Sequence, residues 1–222
     1  DLNFGCPAPT GNKSKGGAVL LKEPEAVYRI VKAVREAVPA HLPVSAKIRL
    51  GYDDKDLYLE NAQAVYQAGA NELAVHARTK REGYKAPAHW EYVDAIRRAL
   101  PIPVTANGEI WDHQDALTCA SVSGCDALMV GRGAISLPNL ANVMKTGCPH
   151  MSWAAVLQLM VNYTEQDLAS EKADYYPSRI KQWFSYLKRE YPQADLLFRD
   201  IRLFKETDPI REALLQATKT VI

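Results

Sequence analysis

A chain of 222 residues with 47% hydrophobic and 24% charged side chains has an ordinary globular composition and enough material for one large domain or two small ones. Its 27 basic and 26 acidic residues leave a formal net charge of +1, so a polyanionic partner is neither demanded nor excluded and would need a local basic surface. Cys6, Cys119, Cys125 and Cys148 match no zinc or c-type haem spacing, no apolar run approaches the roughly 20 residues of a membrane span, and no signal peptide is visible; the expectation is a reduced, cytoplasmic protein with no metal and no membrane contact, acting as a monomer.

Asp1-Leu2-Asn3-Phe4 has the character of a strand end and no Met stands before it, so the fold is expected to begin upstream of Asp1. From there to about residue 146, short apolar runs alternate with amphipathic stretches, the signature of βα units around a parallel sheet. Strands are predicted at 1–5, 43–50, 72–76, 102–106 and 126–130, with helices near 24–37, 57–68, 90–99, 113–120 and 134–145. Candidate site residues stand at the C-terminal strand ends: Cys6, then Lys47 and Arg49, His76 and Arg78, Asn107, and Gly131-Arg132-Gly133. A (β/α)8 barrel builds its site there. The predicted fold class is therefore α/β, the C-terminal five βα units of a (β/α)8 TIM barrel with three units preceding Asp1. The alternative is an open doubly wound sheet, which lacks support from any Gly-x-Gly-x-x-Gly at its first helix.

After Pro149 the pattern is helical only, with helices predicted over 153–171 behind a Ser152 cap, 177–191 opened by Pro177, 193–204, and from Asp208-Pro209 to about Thr220. The predicted division is a partial barrel domain at 1–147 and a small all-α bundle at 148–222.

Pro7 ends the first strand, so Cys6 projects either into the barrel mouth or, like many lone cysteines, into the core. An ordinary thiol is mostly protonated at neutral pH, which suits a general acid better than a nucleophile. Cys119 and Cys125 flank a strand and are expected in the core. Lys47 and Arg49 alternate, hence share a face, and two cations pointing into a barrel call for an anionic ligand unless they reach solvent at the rim. Ala106-Asn107-Gly108-Glu109 and Val130-Gly131-Arg132-Gly133 end what would be strands seven and eight, whose loops often hold phosphate. In the tail, Arg179, Gln182, Tyr186 and Arg189 share one helical face while Ile180, Phe184 and Leu187 share another. Such a stripe suits RNA or is simply a solvated surface.

The run Asp1–Pro7, Gly16-Gly17-Ala18, Lys47-Ile48-Arg49, Val75-His76-Ala77-Arg78-Thr79, Ala106-Asn107-Gly108-Glu109 and Gly131-Arg132-Gly133 together resemble the tRNA-dihydrouridine synthase family over essentially the whole chain. The start of the chain, the segment from Asn107 to Asp112 with its Trp111, and Ser178–Trp183 are most similar to the branch that modifies position 16 of the D-loop. The resemblance implies an FMN enzyme that uses NADPH (or NADH) to reduce a flipped-out uridine of tRNA, with hydride delivered to C6 and Cys6 giving the proton to C5. It implies Lys47, His76, Asn107, Gly108, Glu109, Gly131 and Arg132 for the flavin, and Asn3, Arg49 and Tyr84 for the uridine or its strand. Arg179, Lys181, Tyr186 and Arg202 match tRNA contacts of the family, which makes 148–222 the tRNA-binding domain and 1–147 the FMN domain. Pro9 and Gly11 depart from the family's pattern after Cys-Pro, where a basic residue and a valine are usual. Two rival functions remain: an FMN barrel acting on a free small molecule, of the dihydroorotate dehydrogenase kind, and a non-catalytic tRNA-binding homologue.

Overall fold

The computed structural model describes residues 1–169, 171 and 173–220, so the last two residues of the predicted helical domain lie outside it. Five parallel strands pair in chain order: β1 (Leu2–Asn3), β2 (Ser45–Arg49), β3 (Glu72–His76), β4 (Val104–Asn107) and β5 (Ala127–Met129). All five expected strands are present, and their order never reverses, unlike that of a doubly wound sheet. Between them run α1 (Pro9–Lys13), a 3-10 segment (Gly17–Lys22), α2 (Pro24–Ala37), α3 (Tyr58–Gln67), α4 (Trp90–Ala99) and α5 (His113–Ser123).

Parallel partners share a face, so the register sorts the sheet into two surfaces. One carries Leu2, Ala46, Ile48, Leu73, Val75, Val104, Ala106 and Leu128; the other carries Asn3, Lys47, Arg49, His76, Thr105 and Asn107. The first, apolar along its length, makes the core together with Val27 and Val31 of α2, Ala62 and Val65 of α3, and Val93 and Ile96 of α4, all fully buried. Proline at the first turn and Glu25 behind it start α2, which occupies the predicted residues. Cys119 and Cys125 are buried as expected, and burial pushes the Cys119 thiol up to about 12.

The chain divides into two compact units, a sheet unit of Asp1–Ile110 and Gln114–Val130 and a helical unit of Trp111–His113 and Gly131–Ile222. The helical unit contains α6 (Arg132–Ser136), α7 (Leu140–Thr146), α8 (Trp153–Leu168), a 3-10 turn (Ala173–Tyr175), α9 (Tyr176–Leu187), α10 (Pro192–Ile201) and α11 (Thr207–Thr220). The single helix predicted over 134–145 is thus two, α6 and α7, because Pro138 cannot continue a helix and pushes Leu137 to an extended backbone. Ser152 caps α8 as predicted, accepting from the Ala155 amide at 3.3 Å. Ile180, Phe184 and Leu187 of α9 are fully buried with Tyr176, whose hydroxyl meets Thr164 Oγ1 at 2.8 Å. No helix among the described residues is long and apolar enough to cross a membrane.

Candidate active site

The register aligns the chemistry. Asn3 pairs with Lys47, and Arg49, His76, Asn107 and Met129 form one row across four strands, each the last residue of its strand. Sequence spacing alone brought these residues to strand ends; the register brings them side by side.

Arg49 is 2% exposed. Its Nε donates to the Gly5 carbonyl at 2.8 Å, and one terminal nitrogen donates to the Thr79 and Gly83 carbonyls at 3.2 and 3.0 Å. The expectation that both strand cations await an anion therefore needs correction for Arg49, whose charge is met by three carbonyl dipoles. Lys47 differs: it has no acidic partner among the described residues, and burial, helped by the charge of Arg49, pulls its ammonium down to about 8.

Asn107 faces His76 with its Oδ1 3.0 Å from Nδ1, and its amide nitrogen donates to the Met129 carbonyl at 2.8 Å. An amide oxygen only accepts, so Nδ1 carries the proton and Nε2 is left with a lone pair. That Nε2 is buried and has no hydrogen-bond partner among the described residues. Burial, then the positive charges of Arg49 and Lys47, push the imidazole down to about 3, so His76 is neutral. Gly108 follows at φ +121° with its carbonyl accepting from Trp90 Nε1 at 3.0 Å, and Glu109 adopts a left-handed φ of +56°. The Glu109 carboxylate is ion-paired with the fully buried Arg78, which also donates to the Pro87 carbonyl at 3.0 Å. The side chains of Asn107 and Glu109 thus shape this turn from inside the sheet unit.

Cys6 is half-buried, not sunk in the core. Its loop is stapled by Asn12, whose amide donates to the Cys6 and Ala8 carbonyls at 3.2 and 2.7 Å and whose oxygen accepts from the Val19 amide at 2.8 Å. Gly17 closes the loop at φ +67°; a Cβ there would lie 2.8 Å from the Cys6 carbonyl oxygen. The Asn3 side chain accepts from the Gly5 amide at 2.9 Å, turning the chain into this loop. Pro9, an outlier in the family comparison of motifs, opens α1, a position proline favours. Sequence reasoning missed Asn12, whose three partners lie four to seven positions away along an irregular loop.

Tyr84 is 52% exposed, with its ring edge-on to His76 at 6.0 Å and the Arg49 guanidinium 5.3 Å from its centroid. Its loop is organised by Glu82, which accepts from the Thr79 amide at 2.6 Å and pairs with His89 at 3.1 Å. Nothing in the spacing pointed to Glu82.

In the helical unit, Gly131 precedes α6 and Arg132 is its first residue, with the guanidinium 5.0 Å from the Trp111 ring centroid. Arg179 is ion-paired with Asp167 at 2.7 Å, and the Lys181 ammonium donates to the Phe204 carbonyl. Tyr186 is half-buried and Arg202 exposed.

The model of the dihydrouridine synthase family matches residues 1–219. The chain belongs to that family of enzymes. It is 61% identical over 217 residues to the tRNA-dihydrouridine(16) synthase of Shewanella oneidensis, covering 98% of this chain and 69% of that protein. Proteins of the same name from Vibrio cholerae and Escherichia coli (strain K12) are 52% and 51% identical, covering 96% of this chain and 67% and 68% of their own lengths. The chain thus spans about two thirds of these dihydrouridine synthases.

Proposed function

We propose that residues 1–147 are the C-terminal five βα units of a (β/α)8 FMN barrel and residues 148–222 a tRNA-binding domain, and that the protein reduces uridine to 5,6-dihydrouridine at position 16 of the tRNA D-loop, with NADPH or NADH as reductant. The names and greater length of the relatives support the reading, as does a strand order without reversal. One observation carries it: a desolvated lysine without an acidic partner, Lys47, and a neutral histidine with an unpartnered buried nitrogen, His76, share one face of adjacent strands.

A flavin pyrimidine edge fits that pair, since its carbonyl oxygens answer the Lys47 ammonium and its N–H answers the His76 lone pair. For the ribityl chain and phosphate, the family resemblance supports Asn107 at the end of β4 with Gly108 and Glu109 after it, and, in the helical unit, Gly131 and Arg132. The chemistry supplied by the cofactor when bound is hydride delivery to C6 of the uracil. As the C5–C6 π pair moves to C5, the Cys6 thiol gives C5 its proton and is left as thiolate. Solvent then returns a proton to the Cys6 sulfur, which readies it for the next turnover. Asn3, Arg49 and Tyr84 orient the extruded base, and Arg179, Lys181, Tyr186 and Arg202 face the tRNA.

In the full-length protein, Cys6→Ala is expected to slow uridine reduction by roughly 10²–10⁴-fold while flavin content and tRNA binding persist. Mass-spectrometric counting of dihydrouridine in unmodified tRNA measures this; a variant as fast as the parent would sink the assignment.

A further inference from the structure

Beside Trp111 the helical unit holds an open cleft of about 470 Å³ lined by Trp111, Ser136, Ser185, Tyr186, Lys188, Arg189 and Asp195. Three features distinguish it from an ordinary solvated surface. The Arg189 guanidinium lies 3.9 Å from the Trp111 ring centroid, closer than the Arg132 guanidinium at 5.0 Å. Such stacking orders a planar cation while leaving its N–H edge directed outward. Second, neither Arg189 nor Lys188 has an acidic partner within ion-pair distance among the described residues, whereas Arg179, Arg199 and Arg211 are paired with Asp167, Asp195 and Glu165. The one acid in the cleft, Asp195, is thereby neutralised at 2.6 Å by Arg199. Third, Ser136 is 4% exposed and its Oγ has no hydrogen-bond partner among the described residues. Trp183, donating to the Ile135 carbonyl at 3.0 Å, fixes Ser136 beside α9.

A basic residue past the end of a helix is usually explained by the helix dipole, and Lys188 and Arg189 follow α9. The dipole accounts for a cation there. It does not account for the stacking on Trp111 or for a buried hydroxyl that lacks a partner. Two exposed cations, hydroxyls from Ser136 and Tyr186, and an indole wall are the donors and the platform that a ribose-phosphate link of an RNA strand requires.

We infer that this cleft binds a phosphodiester of the RNA substrate, with Arg189 and Lys188 as the charge-bearing contacts and Trp111 holding Arg189 in place. The inference rests on the reading of the protein as a tRNA-modifying enzyme. It adds to Arg179, which shares its charge with Asp167, and Lys181, which donates to the Phe204 carbonyl, two cations just past α9 that no carboxylate among the described residues meets.

The test measures binding of unmodified tRNA to full-length protein at several salt concentrations. Lys188→Gln with Arg189→Gln is expected to weaken binding about tenfold or more and to lower the slope of log affinity against log salt by about 1 to 2, with flavin absorbance per protein unchanged. Ser136→Ala, which leaves the charges in place, is expected to weaken binding a few-fold with the slope intact. Affinity and slope equal to the parent's in the double variant overturn the inference while the enzymatic reading stands. A parent protein that binds no tRNA overturns both.

Discussion

The two units treat their cations differently. In the sheet unit, Arg49 is buried against three carbonyls and Lys47 is half-buried beside it without an acidic partner, so their positive charge is kept. In the helical unit, Arg179, Arg199 and Arg211 sit nearer solvent and spend their charge on carboxylates within the unit. Carbonyl dipoles solvate a cation without cancelling it, whereas a carboxylate cancels it. Positive residues therefore do not count equally toward an anionic ligand, and a census of Arg and Lys in the tail overstates its charge.

The comparison breaks most sharply at Arg49. Arg49→Met leaves the Gly5, Thr79 and Gly83 carbonyls unpaired in a buried site, and a loss of about 3–5 kcal/mol is expected by chemical denaturation. A loss near that of a surface arginine would show the cage to be unimportant. Lys47 sharpens it through pH. Its ammonium is lowered to about 8, so it is charged below that value and neutral above it. With Lys47 at the proposed flavin site, FMN affinity of the full-length protein is expected to be level up to about pH 8 and to fall by up to roughly tenfold per unit beyond, until the pKa in the complex is reached. Lys47→Met should bind FMN more weakly and lose this pH dependence; titration by flavin fluorescence quenching decides. The smallest effect belongs to the paired cations. Arg179→Ala should cost less than about 1 kcal/mol, shrinking further in high salt, since exposed pairs contribute little.

Much of the sheet unit was legible in sequence because two-residue alternation fixes faces: Lys47 and Arg49 had to share one, and Ala46 and Ile48 the other. Helix starts were legible where proline and a cap residue marked them, at Pro24 and Ser152. What failed was long-range. The carbonyls around Arg49 come from residues 30 to 44 positions away, and no spacing rule connects them. The Arg179–Asp167 and Arg211–Glu165 pairs join different helices, so a helical wheel of α9 alone showed a basic stripe whose partners were invisible. Pro138 was in plain view, yet the apolar pattern on both sides of it hid the break between α6 and α7.

The staple made by Asn12 and Gly17 has a further consequence. Both hold the Cys6 backbone from the base of its loop, while a side chain added at Gly11, near the tip, would meet nothing within 4 Å. The loop thus combines a fixed hinge point under Cys6 with an exposed rim at Pro9, Lys13 and Lys15, so a side chain added at Gly11 or exchanged at Pro9 or Lys13 is expected to leave the Cys6 backbone where it is.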